Sequence, residues 1–202
     1  MDELSTLKLG LLEALERFDR AVAGFEPVVL ETDPAVGSWS ARDVAGHLAD
    51  WNQEILDAAE HILGGPRPRH QPITHGQSYN TMRVAVRGID PWQAAAADLQ
   101  ASIERTAALL DRLQPEQLRA VGPYPWGEIG TVEHLIAGLI KHVDEHAAGI
   151  EEWRLRRLGP PPSERETGDT KAGRRKAWRT RSRGNETSRG RKSGRFGSGS
   201  RS

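Results

Sequence analysis

Apolar side chains recur at steps of three and four residues along four long stretches of this chain. This spacing places them on one face of an α-helix, so each stretch predicts an amphipathic helix that buries one side. The stretches begin near residues 4, 40, 75 and 131, and loops rich in proline and glycine separate them. No segment shows the alternation expected of a convincing β-strand. We therefore predict an all-α protein, an up-and-down antiparallel four-helix bundle.

Local signals mark several of the helix ends. Ser40, followed three residues later by Asp43, is typical of a capping box and predicts the start of the second helix. Asp90-Pro91 interrupts the third helical stretch and restarts it, with Asp90 as the N-cap and Pro91 in the first helical position. Residues 25–39 contain two prolines and a glycine and are predicted to be a connecting loop.

The charge of the chain divides it into two parts. Of 28 basic and 28 acidic residues in 202, residues 163–202 hold 13 and 4, which leaves the rest of the chain with more acidic than basic side chains. From residue 167 on there are almost no aliphatic side chains to bury, so this part cannot offset its chain entropy. We predict a four-helix-bundle domain over residues 1–158 and a disordered basic tail over residues 159–202. Residues 163–202 could contact nucleic acid, but a solvated, dispensable extension is the preferred interpretation.

The composition excludes several kinds of chemistry. The chain has no cysteine, which rules out disulfides, thiolate metal ligands and a cysteine nucleophile. Any thiol chemistry would need a small-molecule thiol from outside. No run approaches the roughly 18 apolar residues of a membrane span, and no secretory signal is present. We predict a cytoplasmic protein with no membrane partner.

Two histidines lie on one side of the last predicted helix. His142 and His146 are four residues apart, so their side chains lie one above the other, His146 within the apolar stripe and His142 at its edge. Two imidazoles in this arrangement suit adjacent positions around a metal ion. Gly138 and Gly149 border the pair and are predicted to keep space open beside it. His134 points to the polar side and is predicted to be a surface residue.

A third histidine completes the candidate site. His47 lies at the edge of the core-facing stripe of the second helix, near its middle, and the second and fourth helices of a bundle can face each other. Three histidines with one open position are typical of a catalytic metal site. The competing interpretation is that each is a hydrogen-bonded core residue. Further candidates for the pocket, which are as well explained by packing, are Trp39, Trp51, Tyr79 and Asn80.

The segment His142-Val-Asp-Glu-His146 also matches the H-x-x-E-H pattern of inverted zinc peptidases. Glu145, however, points about 100° away from His146 around the helix, and the peptidases need a further acidic ligand downstream in an α/β domain. We interpret the match as fortuitous and keep a metal-dependent hydrolase only as an alternative.

The run VGSWSARDVAGHLADW, residues 36–51, resembles the second-helix signature of the DinB/YfiT-like superfamily. Tyr79-Asn80 and His142-x-x-x-His146 follow in the order and spacing of that family, and the resemblance covers about residues 4–153. It implies a four-helix bundle with a divalent metal bound by three histidines, which correspond to His47, His142 and His146.

The resemblance also implies a range of functions. Relatives include transferases and isomerases that depend on mycothiol, bacillithiol or glutathione, in which a metal lowers the pKa of the cosubstrate thiol. It therefore implies a metal-dependent thiol transferase or detoxification enzyme with a small-molecule substrate, and a homodimer. Zinc is the expected metal, with nickel or iron as alternatives, because imidazole suits all three. No catalytic acid or base is assigned. The competing hypotheses are a non-catalytic, stress-associated binding module and a protein that binds nucleic acid through residues 163–202.

Overall fold

A computed structural model describes residues 2–68 and 72–158 of the chain. Within these ranges helices dominate, and the elements are α1 (Glu3–Val22), α2 (Pro27–Thr32), α3 (Ala41–Ile62), α4 (Gly76–Arg87), α5 (Trp92–Leu110), a short 3-10 helix (Pro115–Arg119), β1 (Val121–Pro123), β2 (Ile129–Thr131) and α6 (Val132–Arg157). The predicted disordered tail, residues 159–202, lies outside the described residues. The tail and the domain boundary at residue 158 therefore stay predictions.

The four long helices form a bundle around one apolar core. α1 and α3 each pack against both α5 and α6. Leucine, isoleucine, valine and alanine side chains from all four helices are buried in a single cluster between them. The all-α four-helix bundle predicted from the sequence is confirmed. None of the described helices is long and apolar enough to cross a membrane.

Long-range contacts give the direction of each helix. α1 runs antiparallel to α5, and α3 runs antiparallel to α6, whereas α1 and α6 run in the same direction, as do α3 and α5. The antiparallel arrangement predicted for neighbouring helices therefore holds for two of the four neighbouring pairs, α1–α5 and α3–α6. α4 returns the chain, so that α5 can start at the same end as α3. For α1 and α5 the contacts are Lys8–Asp111 and Phe18–Trp92, and for α3 and the turn before it against α6 they are His47–His142 and Val36–Gly149. For α1 and α6 they are Gly10–Ile140 and Arg17–Glu151, and for α3 and α5 they are Asn52–Ser102 and Glu60–Arg112.

The helix starts follow the sequence signals in one case and depart from them in another. In the capping box of α3, the Asp43 amide donates to Ser40 Oγ at 3.2 Å and the Ser40 amide donates to Asp43 Oδ2 at 3.0 Å, as predicted. The predicted N-cap of α5, Asp90, is wrong by one residue, because Pro91 is the N-cap. The reason is tertiary: the first free amide of α5, on Trp92, donates to Glu31 Oε1 at 2.8 Å, so a side chain from α2 replaces the local cap.

Two predicted loops contain short elements. Residues 25–39 include α2, which begins with Pro27 in its first turn and buries Leu30. The prediction that the chain has no strand is wrong, since β1 and β2 form an antiparallel pair just before α6. Each strand has three residues, and together they include two glycines and a proline, so they are too short and too irregular to show a period of two.

Candidate metal centre

α3 and α6 bring three histidines together. One ring nitrogen from each of His47, His142 and His146 lies within 4.8 Å of the other two. Nε2 of His47 and Nε2 of His142 are 3.1 Å apart. The ring centroids form a nearly equal-sided triangle, with separations of 5.0, 5.1 and 4.9 Å. The three residues singled out in the sequence therefore converge at one place in the fold.

The packing of α3 on α6 explains this convergence. Leu48 follows His47, and Val143 follows His142, and both of these apolar side chains are completely buried. Each histidine therefore lies at the border between the apolar core and the surface. His47 is buried, and the two histidines of α6 are half-buried. The helix pairing thus holds the imidazoles at a depth where solvent reaches them only in part.

Burial makes the three imidazoles poor bases. Desolvation, reinforced by the neighbouring His142 and His146, lowers the pKa of His47 to about 3. Desolvation likewise lowers the pKa of His142 to about 4 and shifts the pKa of His146 downward. At neutral pH all three rings are consequently neutral, and each carries a nitrogen lone pair that can be donated to a cation.

The donor set fits a divalent cation. Nitrogen ligands about 2.0–2.1 Å from a tetrahedral ion are about 3.3 Å from each other, close to the 3.1 Å between the two Nε2 atoms. Without a cation, one of these two nitrogens must carry the proton of a hydrogen bond, because two facing lone pairs repel. The spacing of the His47 and His142 nitrogens and the neutral charge of all three histidines therefore suit metal ligation.

Trp39 covers one side of the three histidines. Its ring centroid lies 4.8 Å from that of His47, and its ring is nearly parallel to that of His146, at 6.5 Å. A tight turn carries Trp39 to this place: Val36 and Trp39 pair across Gly37, which has a φ of 60°. The turn packs against α6 at Gly149, where an added Cβ would come within 3.0 Å of Val36.

This contact corrects the prediction for one of the two glycines. Gly149 does not keep space open, because Val36 fills the place beside it. Gly138, in contrast, is exposed, and apart from its chain neighbours and the backbone of its own helix no atom lies within 4 Å of the position its Cβ would occupy. The open space at Gly138 is therefore exposed surface and not an enclosed cavity.

Of the other candidates for the pocket, Trp51 lies one helical turn beyond His47 on α3, and Tyr79 and Asn80 lie opposite it on α4. Trp51 contacts the ring of Tyr79 at 5.2 Å and donates its indole N–H to Asn80 Oδ1 at 2.7 Å, so these three residues join α3 to α4. As predicted, His134 is a surface residue, stacked on Tyr124. Glu145 is exposed and lies 3.6 Å from Lys141, which agrees with its predicted orientation away from the histidines.

The sequence analysis missed a buried ionic cluster beside the site. Asp50, one turn from His47, accepts hydrogen bonds from both Arg83 and Arg87 of α4. Burial raises the pKa of the Asp50 carboxyl, but the two arginines outweigh this effect and lower it. Gly46 makes room for the cluster, since an added Cβ would lie 2.7 Å from Arg87 Cδ. By helical periodicity Asp50 lies well outside the apolar stripe of this helix, so the sequence pattern gave no signal for the cluster.

A helical bundle in which two facing helices supply three histidines defines a class of candidate metalloproteins. Residues 11–150 match the family model of the DinB superfamily, and the chain belongs to that superfamily. None of the curated proteins matches the sequence.

Three solved structures show the same fold. One is YfiT from Bacillus subtilis, described as a probable metal-dependent hydrolase with an unusual four-helix bundle topology (24% identity, TM-score 0.61, 78% of this chain and 88% of that chain covered). The second is a mycothiol-dependent maleylpyruvate isomerase (13%, 0.60, 76% and 66%). The third is the colibactin self-resistance protein ClbS in complex with double-stranded DNA (12%, 0.61, 75% and 94%). At these identities the likeness establishes the fold alone.

Proposed function

We propose that this protein binds one divalent metal ion through His47, His142 and His146 and is a metal-dependent enzyme that transfers a low-molecular-weight thiol to a small-molecule electrophile, a detoxification reaction. The observation that carries the proposal is the cluster of three neutral imidazoles, one buried and two half-buried, whose nitrogens lie within 4.8 Å of one another. Zinc is the first choice of metal, with nickel or iron as alternatives, because imidazole donors do not discriminate strongly between these ions.

When bound, the metal supplies Lewis-acid chemistry, lowering the pKa of a coordinated thiol or water. The protein holds the three ligands neutral by burying them, so no proton has to leave the rings first. Trp39 shields the side next to His47 and His146 from water. The chain has no cysteine, so the thiol must come from a cosubstrate. The shared fold of a mycothiol-dependent isomerase supports this choice of reaction.

A metal-dependent hydrolase is the second candidate. The observation in its favour is the description of YfiT as a probable metal-dependent hydrolase. The two candidates differ in what must be added: the transferase needs a thiol as cosubstrate, whereas the hydrolase needs only water. Turnover of an electrophile by the metal-loaded protein should therefore be compared with and without added thiol.

The partners follow from the same reasoning. We propose a small-molecule substrate, a homodimer and a cytoplasmic location, which rest on the family resemblance and the composition. Nucleic acid is proposed only through the basic residues 163–202, and the fold likeness to ClbS supports testing it. Binding through this tail would weaken steeply with salt and would disappear when residues 163–202 are removed.

Metal content tests the central proposal. Protein purified without a histidine tag should contain about one metal ion per chain by elemental analysis, and His142→Ala should contain none. His134→Ala is the matched control, because His134 lies on the same helix but on its exposed surface. It should keep the metal. If the wild-type protein holds no metal even after reconstitution, the proposed function is wrong and a non-catalytic bundle is the better description.

A further inference from the structure

The outer side of α4 carries an apolar stripe. Its members follow one another at steps of three, one and three residues, so they share one face of a helix, and all are exposed: Met82 by 54%, Val86 by 62% and Ile89 by 92%, together with Ala85. Ile89 lies just beyond the end of α4, but Gly88 keeps helical backbone angles, so the face continues to it. We call these four exposed residues the α4 stripe.

An apolar stripe in this position departs from the usual pattern of a surface helix. Such helices turn their apolar face to the core and expose polar and charged side chains. α4 has no buried residue, and its large apolar side chains point to solvent instead. Single exposed apolar residues are common in soluble proteins, but a continuous patch of them indicates an interaction site. The α4 stripe is therefore a candidate contact surface.

The α4 stripe carries no charge that would oppose a copy of itself. Within residues 76–90, all of which the structure describes, the charged side chains are Arg83, Arg87 and Asp90. Both arginines turn to the other side of α4, where they donate to the buried carboxylate of Asp50, and Arg87 also lies 3.8 Å from Asp90. When two identical surfaces meet at a two-fold axis, a charge near the axis faces its own like charge, which opposes association. The α4 stripe is free of that repulsion.

We propose that the α4 stripe is the surface through which a second copy of this chain binds, in a symmetric dimer. A two-fold axis that passes between Ala85 and Val86 brings Met82 of each copy opposite Ile89 of the other, and the small Ala85 opposite Val86. Small side chains that face larger ones allow two helices to interdigitate closely. The proposal rests on the homodimer of the proposed function, and it adds the place where the two copies meet.

The chemistry of the α4 stripe fits a protein surface better than a lipid surface. Helices that lie on membranes carry Lys and Arg on their polar side, where these side chains meet anionic headgroups. The two arginines of α4 are engaged by Asp50 instead. A second copy of the stripe offers apolar side chains and no charge, which suits the first. The stripe is only about two helical turns long, so the interface is small and we expect a weak dimer, with a Kd of about 10 μM.

Sedimentation equilibrium of the full-length protein tests the dimer and its surface. Val86→Glu should weaken the wild-type dimer by about 100-fold, because it brings two carboxylates together at the two-fold axis. Val121→Glu is the matched control, since Val121 is as exposed as Val86 (63%) but lies on β1, and it should keep the wild-type affinity. A wild-type protein that is still monomeric at about 200 μM, or a dimer that Val86→Glu leaves unchanged, overturns the proposal.

Cysteine substitution locates the contact, because the chain has no cysteine of its own. Two packed helices with axes about 8–10 Å apart bring facing Cα atoms to about 4–6 Å, which is within the range of a disulfide. After oxidation with diamide, Ala85→Cys should form a covalent dimer on a non-reducing gel. Gln77→Cys, which is exposed on another side of α4, should remain a monomer there. Equal cross-linking of both variants, or none in Ala85→Cys, contradicts the α4 stripe as the interface.

Two further measurements separate this surface from the other possibilities. Metal content distinguishes it from the proposed metal site: a wild-type dimer without metal contradicts the proposed enzyme and supports the α4 interface, whereas a metal-loaded monomer does the reverse. Vesicles of phosphatidylglycerol test a lipid surface. If the wild-type protein is a monomer that sediments with the vesicles and Val86→Glu does not, a lipid surface covers the α4 stripe and the proposal of a second copy is wrong.

Discussion

The Asp50 cluster should contribute more to stability than any ion pair on the surface. Its carboxylate is 3% exposed and accepts hydrogen bonds from Arg83 and Arg87 at 2.5 to 3.1 Å. Asp50→Asn removes the buried charge but keeps the shape of the side chain. Two arginines then face an amide whose NH₂ group cannot accept a hydrogen bond.

The size of the effect follows from these contacts. Hydrogen bonds to charged groups contribute about 1.5–3 kcal/mol each, and breaking a buried ion pair costs about 3–5 kcal/mol. Both arginines keep some contact with water, and the substitution also removes the cost of burying a carboxylate. We therefore expect the free energy of unfolding to fall by about 3 kcal/mol, which lowers Tm by about 6–12 °C in a domain of this size.

Urea unfolding and amide hydrogen exchange measure this effect. α4 has no buried residue and its contacts with α3 include this cluster, so its amides should exchange faster in Asp50→Asn than those of α1. The matched control is Asp98→Asn, because Asp98 also accepts from Arg87 but is 56% exposed. It should cost less than about 0.5 kcal/mol. If the two variants lose equal stability, the reasoning from burial is wrong.

Two further predictions concern acid and the start of α3. In metal-free protein, the folded-state pKa is about 3 for His47 and about 4 for His142, whereas the unfolded-state value is about 6.5. At pH values between the folded-state and the unfolded-state pKa, the unfolded state therefore binds more protons than the folded state. The free energy of unfolding should be at its full value above pH 6.5 and should fall by up to about 1.4 kcal/mol per pH unit for each histidine as the pH drops toward 4. Urea midpoints that stay constant with pH would contradict this, and so would an unchanged dependence of stability on pH in His47→Gln. Ser40→Ala removes the hydrogen bond to the Asp43 amide and should cost about 1 kcal/mol in urea unfolding, whereas Ser40→Thr, which keeps a capping hydroxyl, should cost less.

The sequence predicted the long helices and the histidine cluster because both depend on local periodicity. His142 and His146 are four residues apart on one helix, so their proximity needs no knowledge of the tertiary fold. His47 could be added because its position on the buried edge of α3 was visible from the pattern of apolar residues. That all three approach within 4.8 Å required the structure.

The features that were missed depend on contacts between distant residues. The amide of Trp92 is capped by Glu31, which lies 61 residues earlier, so the local signal at Asp90 was misleading. The Asp50 cluster joins α3 to α4, and Arg83 and Arg87 lie 33 and 37 residues after Asp50 in the sequence. The role of Gly149 depends on Val36, which packs against it from the turn before α3, far away in the sequence. None of these pairings leaves a periodic pattern in the sequence.

The direction of the helices has a consequence for synthesis of the protein. His47 and His142 are 95 residues apart, and α6 is the last described helix of the bundle. A chain emerging from the ribosome exposes α1, α3 and α5 before α6 is available, so α1 and α3 each lack one of their two packing partners until late. His47 on α3 cannot contact His142 and His146 until α6 has been made. Capture of the proposed metal is therefore expected to follow the synthesis of α6, when the three ligands first share one folded surface.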